Sequence, residues 1–380
     1  LIVCMVTPHL PPDQAANALL PQLLRDGLTR EGHEVRLMAF EPRAGRPRQA
    51  EVRYIPRSRN GLSRTLRLSH LETAFAVYRQ TRGFFSQADV VHIHSNTFMN
   101  QLVAALAHRR RLPFLVTHYG TEIWHYRKRP IDPFLWMNEH AAQVTYYSRL
   151  LLDKSLELGV VPPRRVVVYP PVEREFHLPT DEQRAAARSS LGLGSEPVLL
   201  NVKRLHPLAG QRYLIEAMPE IRRSHPGARL FVVGEGETRP ELEELVTSLG
   251  LGDSVTLLGL VDHRELPRIY QAADLFVLPS RLEAFPTVAA EALACGLPVV
   301  SADHPGGREL AELFPDDVAL VPRERVSPLA QALVAALNKP RRSSDRTRER
   351  IERELRPEAA IAKYLELYRA AIEEGTRAGN

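Results

Sequence analysis

The sequence predicts an α/β protein made of two doubly wound, parallel-sheet domains. Three observations carry this expectation. The chain has 380 residues, beyond the roughly 250 to 300 at which a single core stops growing. Short β-branched runs alternate with longer helical patterns from end to end, the mark of a parallel sheet covered on both faces. The alternation breaks once, where "PPVEREFHLPTDEQRAAARSSLGLGSEP" lacks a strand pattern and is rich in Pro, Gly and charge. The expected division is a first domain over 1–170, a linker over 171–195, a second domain over 196–355, and a C-terminal helix over 356–380 that packs back on the first domain.

In the first domain the strand candidates are "LIVCMV" (1–6), on which the chain opens, "HEVRLMAF" (33–40), "DVVHIHS" (89–95), "PFLVTHYG" (113–120), "QVTYYS" (143–148) and "RVVVYP" (165–170). Between the first two, "ANALLPQLLRDGLTREG" (16–32) sets apolar residues at helical spacing. The second series runs "VLLNVKR" (198–204), a helix over 210–223, "ARLFVVGEG" (228–236), a helix over 239–249, "SVTLLGL" (254–260), a helix over 264–272, "LFVLPS" (275–280), a further helix, and "PVVSAD" (298–303). The tail begins as a charge run and ends with Ile361, Tyr364, Leu365, Leu367, Tyr368 and Ile372 on one helical stripe, which must pack on something. Open sheets of this kind bind ligands beyond the carboxyl ends of their strands, so two Rossmann-like domains are expected to face one another across a binding cleft.

Composition narrows the class. At 44% apolar and 25% charged the chain is globular. No apolar run reaches the ~18 residues of a spanning helix, and the longest candidate contains Glu291, Gly296 and Pro298. Two cysteines, Cys4 and Cys295, both in apolar runs, exclude a disulfide framework and fit a reduced, cytoplasmic compartment. The net charge of +5 hides an asymmetry: residues 1–170 hold 23 Lys/Arg against 13 Asp/Glu, and residues 171–380 hold 27 against 32. The basic half lacks the aromatic interleaving and helix-turn-helix pattern of a nucleic-acid binder. Its excess reads as a solvated face with a small-anion site, or as peripheral contact with an anionic membrane.

The densest chemistry lies in "SRLEAFPTVAAEALACGLPVVSAD" (280–303), an apolar run broken by Glu283 and Glu291. Pro286 suits a first helical turn, Gly296 a C-terminal cap, and Pro298 blocks continuation, so a helix is expected over 286–295. The amides of residues 285–288 then form a seat for a phosphate. A carboxylate beside such a seat repels phosphate unless it accepts hydrogen bonds from hydroxyls just beyond it, and that is the role open to Glu283. Glu291 needs ligand hydroxyls or other partners if buried; a solvated helix face explains it equally well.

This stretch resembles the signature of the retaining nucleotide-sugar glycosyltransferases of family 4, which have the GT-B fold: a Glu, seven residues, a second Glu, then Cys-Gly-Leu-Pro-Val-Val. The resemblance implies that Glu283 holds the transferred sugar, that Glu291 holds the ribose, and that the backbone of Phe285, Pro286, Thr287 and Val288 meets the diphosphate. It extends over 232–280, where Gly234 and Gly236 belong to the nucleotide domain and Gly259, Leu260 and Val261 up to Asp262 line the base. In "VKRLHPLAGQRYLIEAM" (202–218) Arg204 matches a diphosphate-gripping Arg, whose bland reading is a solvated residue after a strand. The Lys expected five positions later is Ala209, leaving Lys203 and Arg212 as candidates to compensate.

The first domain departs further from that pattern. The Gly-Gly pair expected before the first helix is Ala15-Ala16, followed by Asn17, so the loop for acceptor or phosphate takes another path. "LVTHYGTEI" (115–123) puts Tyr119 in register with a catalytic His, with His118 one place earlier and pointing to the opposite face. Either Tyr119 replaces that His or the loop slides to bring in His118. "GEGETR" lacks the context of a dinucleotide fingerprint, and "HIH" (92–94) suggests a structural pair more than a metal site. No Asp-x-Asp occurs, consistent with an enzyme that uses no metal and no cofactor, its donor being a substrate.

The expected function is retaining transfer of a hexosyl group from a nucleoside-diphosphate sugar to the hydroxyl of a small polar or glycan acceptor. The alternatives are a peripheral-membrane glycolipid transferase, a nucleotide-sugar epimerase, or a nucleotide-binding protein without turnover. The small acceptor is favoured because in the basic stretch 52–85 the residues Leu66, Leu68, Leu71 and Val77 are expected to pack on the sheet.

Overall fold

The computed structural model describes residues 1–11, 16–42, 48–56 and 69–379. They form two compact units, Leu1–Pro170 with Pro357–Asn380, and Pro171–Arg356.

The first unit is built on a seven-stranded parallel sheet of β1 (Ile2–Thr7), β2 (Glu34–Phe40), β3 (Val52–Ile55), β4 (Val90–His94), β5 (Phe114–His118), β6 (Gln143–Tyr146) and β7 (Arg165–Val167). The strand order is β3-β2-β1-β4-β5-β6-β7, so it reverses between β1 and β4. Every residue of β4 and β5 is buried, which is why these strands read as apolar runs without alternation. The tail helix Pro357–Gly379 closes one face. Its stripe buries Ile361, Tyr364, Leu365, Leu367 and Tyr368. A side chain on Gly27 would meet Ile361, so the small residue admits the helix.

The second unit holds a six-stranded parallel sheet of β8 (Val198–Val202), β9 (Arg229–Val233), β10 (Val255–Gly259), β11 (Leu275–Leu278), β12 (Val299–Ala302) and β13 (Val318–Val321), in the order β10-β9-β8-β11-β12-β13. Here the reversal falls between β8 and β11. Leu199, Leu230, Val232, Leu275 and Val277 of the sheet share a core with Leu214, Met218 and Ile221 of the helix Gln211–Ser224 and with Leu329, Ala330 and Leu333 of the helix Val326–Leu337.

Three expectations change. Strands β3 and β13 were not foreseen; both are four-residue edge strands. "VRYI" sits in a basic run, and the middle residues of "VALV" are exposed, so neither shows a strand's period. The expected linker over 171–195 contains the helix Asp181–Ser190, opened by a Thr180/Gln183 capping box and part of the second unit. Its arginines dock it: Arg184 Nη2 donates to Asp274 Oδ1 (2.6 Å), and buried Arg188 donates to the carbonyls of Gly194, Ala272 and Glu196. Charge in this segment therefore reflects satisfied guanidinium anchors, not a free connection. Leu71, expected to pack on the sheet, is 67% exposed, whereas Val77 is fully buried; Leu66 and Leu68 lie outside the described residues. Among the described residues no helix is long and apolar enough to cross a membrane.

Candidate active site

In the second unit the candidates collect at the carboxyl ends of β8 and β11, the two strands flanking the reversal. The loop after β11 carries Glu283, whose side chain is 11% exposed. Its Oε2 accepts from Lys203 Nζ at 2.7 Å. Lys203 follows β8 directly, and its amide donates to the Val233 carbonyl (2.9 Å). Arg204 beside it is exposed and makes no side-chain hydrogen bond or ion pair among the described residues. Ala209 is buried in the short turn Pro207–Ala209. Arg212, the other candidate for compensation, is instead paired with Glu216 on its own helix (2.8 Å).

Backbone proximity explains the glycines here. Gly234 has φ +138°, and a Cβ on it would lie 2.1 Å from the Lys203 carbonyl oxygen; one on Gly236 would lie 1.9 Å from that of Leu205. The "GEG" loop thus presses on the backbone of residues 203–205, an approach no side chain permits. Gly259 (φ +72°) ends β10, with Leu260 73% exposed and Val261 half-buried after it.

The helix after Glu283 spans Thr287–Ala294, with Pro286 at its N-cap and no side chain capping its amides. Phe285 and Pro286 are buried; Thr287 and Val288 are half-buried. Pro286 has no N–H and the amide of Thr287 turns back on the Phe285 carbonyl (3.1 Å), so the expected row of open amides over 285–288 is shorter. Gly296 (φ +86°) closes the helix, with the Leu297 amide on the Ala292 carbonyl (2.9 Å). Glu291 is buried, 9% exposed, so it does not lie on a solvated face. The Tyr270 hydroxyl is 3.0 Å from Glu291 Oε2 and 3.2 Å from the Val288 carbonyl oxygen. Burial pushes the Glu291 carboxyl up to about 7, against the opposing pull of the Tyr270 hydrogen bond.

Sequence reasoning missed Tyr270 and His304. The latter caps the helix Pro305–Leu313, its Nδ1 accepting from the Gly307 amide (3.0 Å) and its buried Nε2 without a partner. Burial pushes this imidazole down to about 4, with Glu283 opposing and Arg323 and Lys203 reinforcing. A Cβ on Gly306 would lie 2.6 Å from the Glu283 carbonyl oxygen, so this helix backs the Glu283 loop. Tyr270 has no local signal, because its partner Glu291 lies 21 residues on, whereas His304 is a local cap that the following Pro305 at the first helical position could have marked.

In the first unit His118 is fully buried, between Phe134 and Tyr146, and its Nε2 donates to Asn138 Oδ1 at 2.7 Å. The loop has not slid to present it. Tyr119 is half-buried, with its hydroxyl 2.6 Å from His94 Nδ1, its ring against Tyr147, and its amide on Glu122 Oε1 (2.7 Å). Burial holds the Tyr119 hydroxyl well above its ordinary range, so it stays protonated. The rings of His92 and His94 lie 3.9 Å apart, tilted by 40°, and His92 bridges Tyr368 and Thr117 at 2.7 Å each. Among the described residues no cluster suits a metal ion. Asn17 accepts from Thr7 Oγ1 through its carbonyl, and its own Oδ1 is buried without a partner; Ala16 opens the helix Ala16–Arg30, and Ala15 lies outside the described residues.

Two doubly wound, parallel-sheet α/β units define a protein of the GT-B fold class. Residues 183–354 match the family model described as glycosyl transferases group 1, and residues 22–176 that of glycosyltransferase family 4. The chain belongs to the family 4 glycosyltransferases. It is 40% identical over 166 residues to a D-inositol 3-phosphate glycosyltransferase of Segniliparus rotundus, covering 40% of this chain and 36% of that protein. It is 29% identical over 282 residues to an alpha-D-kanosaminyltransferase of Streptomyces kanamyceticus, covering 72% and 66%. The matches thus span from about a third to just under two thirds of these relatives. The fold is similar to that of Anabaena HepE, solved in complex with UDP, with a TM-score of 0.78 at 19% identity over 96% of this chain and 99% of that one.

Proposed function

We propose that this chain is a retaining glycosyltransferase that moves a hexosyl group from a nucleoside-diphosphate sugar to an acceptor hydroxyl. The observation that carries the reading is the pair Glu283 and Glu291 on either side of an uncapped helix N-terminus. The amides of that helix and Arg204 meet the diphosphate and stabilise the charge that develops as it leaves. Glu283 accepts from hydroxyls of the transferred sugar and Glu291 from the ribose. The Gly259 to Asp262 segment lies along the base. Attack comes from the face the diphosphate leaves, with a donor phosphate oxygen taking the acceptor proton, and the protein contributes orientation more than a base. Tyr119 takes the place of the family His. UDP bound to a protein of similar fold makes uridine diphosphate sugars the first donors to test.

The test is release of nucleoside diphosphate from a panel of uridine and guanosine diphosphate sugars, with and without candidate acceptors. Acceptor-dependent release with retained anomeric configuration supports the reading. Release of free nucleotide and altered sugar without an acceptor replaces it with an epimerase, and nucleotide affinity without turnover for any donor replaces it with a binding protein.

One observation favours a lipid-linked acceptor over a small polar one. On the helix Ser69–Phe84, Leu71, Phe75 and Tyr78 are each more than 60% exposed, at positions i, i+4 and i+7, with Arg79 and Arg82 also exposed. Such a face suits an anionic bilayer surface. Co-sedimentation with phosphatidylserine-containing vesicles, lost in Phe75→Ser and Tyr78→Ser, is the expected result if the acceptor is a lipid.

A further inference from the structure

The ion pair between Lys203 and Glu283 bridges the reversal point of the second sheet. Lys203 leaves β8 and Glu283 lies in the loop after β11, so the pair joins the two strands between which the order reverses. The join is built from both sides. The Lys203 backbone is held by the Val233 carbonyl and pressed by Gly234. The Glu283 backbone is backed by Gly306, and its loop is tied to the β8 side by the Arg281 amide on the Leu208 carbonyl (2.8 Å). Two side chains so anchored meet at 2.7 Å with little freedom.

The charges around them make the pair consequential. Glu283 precedes the uncapped helix Thr287–Ala294 by four residues, and an uncompensated carboxylate there opposes any anion that the helix amides attract. Three nearby cations are engaged elsewhere: Arg281 pairs with Glu324 (3.2 Å), Arg308 with Asp303 (2.5 Å) and Arg212 with Glu216 (2.8 Å), while the side chain of Arg204 meets no carboxylate among the described residues. Lys203 is thus the cation that meets Glu283, and it takes Oε2 while Oε1 carries no hydrogen bond among the described residues.

We propose that Lys203 is a positioning residue: it neutralises Glu283 so that a diphosphate can bind beside a carboxylate, and it fixes that carboxylate with Oε1 turned to ligand hydroxyls. The inference rests on the proposed donor site. It also accounts for how the chain binds a diphosphate with Ala209 in place of a cation.

The experiment is calorimetric titration of UDP and GDP, at low and high salt, into the full chain and its Lys203→Met, Glu283→Gln and Lys203→Met/Glu283→Gln variants, each checked by circular dichroism. The nucleotide that the wild type binds is the probe. In Lys203→Met the affinity falls about tenfold or more at low salt, and the loss shrinks at high salt as screening weakens the repulsion. Removing the carboxylate as well restores affinity to within about threefold of wild type, because the repulsion has gone with it. Turnover with the donor sugar stays low in the double variant, since Glu283 is still needed. A Lys203→Met variant that binds like wild type overturns the proposal. So does a double variant as weak as Lys203→Met, which would mean that Lys203 contacts phosphate directly instead of compensating Glu283. If the wild type itself binds neither nucleotide, the donor-site reading falls and this inference with it; the two failures are therefore distinguishable.

Discussion

Glu291 makes the sharpest test of the site. The perturbation is Glu291→Gln, which keeps shape and removes the ionisation. In the folded unit burial raises this carboxyl from its ordinary 4.5 to about 7, the Tyr270 hydroxyl only partly offsetting it. When protonated, Glu291 can donate to the Tyr270 oxygen while Tyr270 donates to the Val288 carbonyl. A group whose folded pKa is raised contributes stability in full below its unfolded pKa and loses it as pH rises through the folded pKa. A shift of roughly 2.5 units at 1.36 kcal/mol each amounts to about 3 kcal/mol, most of it lost between pH 5 and 8. For a unit of this size that is on the order of 5–10 °C in melting temperature. The assay is thermal unfolding of wild type and Glu291→Gln at pH 5, 6, 7 and 8. The wild-type curve should fall toward pH 8 while the variant's stays flatter, so that the variant gains relative stability with rising pH. Parallel curves would refute the reasoning, because they mean Glu291 is already ionised and satisfied at pH 5. The same linkage predicts that nucleotide binding releases a proton near pH 7, since ribose hydroxyls donating to Glu291 favour its charged form; binding enthalpies should then vary with the buffer's ionisation enthalpy.

Other outcomes test the remaining parts. Glu283→Gln should lower turnover with the donor sugar at least about 100-fold, as loss of a charged hydrogen-bond acceptor in the transition state does, while retaining fold and nucleotide binding; wild-type activity in this variant removes Glu283 from the site. Gly236→Ala brings a Cβ within 1.9 Å of the Leu205 carbonyl oxygen, so the loops after β8 and β9 must separate, at a cost of about 1–3 kcal/mol and with weakened nucleotide affinity; unchanged melting and binding would show that the approach is not required. Tyr368→Phe leaves buried His92 Nδ1 without its partner and should cost about 1–3 kcal/mol in thermal or denaturant unfolding, with no loss counting against the tail helix as an anchor. Burial pushes His92 down to about 3, with His94 shifted the same way, so the first unit should lose stability as pH falls from about 6.5 toward 3, followed by near-ultraviolet circular dichroism. A flat profile there would show that both imidazoles protonate freely.

Much of the fold was legible because parallel strands buried on both faces read as apolar runs, as "LIVCMV", "DVVHIHS" and "LFVLPS" do. Edge strands such as β3 and β13 pack on one side only and gave no such run. The segment 171–195 misled because Arg184 and Arg188 are guanidinium anchors, whose partners Asp274 and Ala272 lie 90 and 84 residues away. The reading of Leu71 as a packing residue misled in the opposite sense, since periodicity marks an apolar face without saying whether anything covers it.

For the candidate site the division is similar. The spacing of Glu283, Pro286, Glu291 and Gly296 is local, so the sequence by itself determined the helix to within one residue at each end, with one carboxylate before it and one within it. Which groups those carboxylates meet is a matter of strand order. Only the tertiary structure decided that Lys203, 80 residues earlier, sits on Glu283, that burial raises the Glu291 carboxyl to about 7 against the pull of the Tyr270 hydrogen bond, and that His118 faces the interior while Tyr119 is held by His94. The physical reason is that charge and hydrogen-bond partnership depend on distance in space, and a doubly wound sheet brings together residues from strands far apart in the chain.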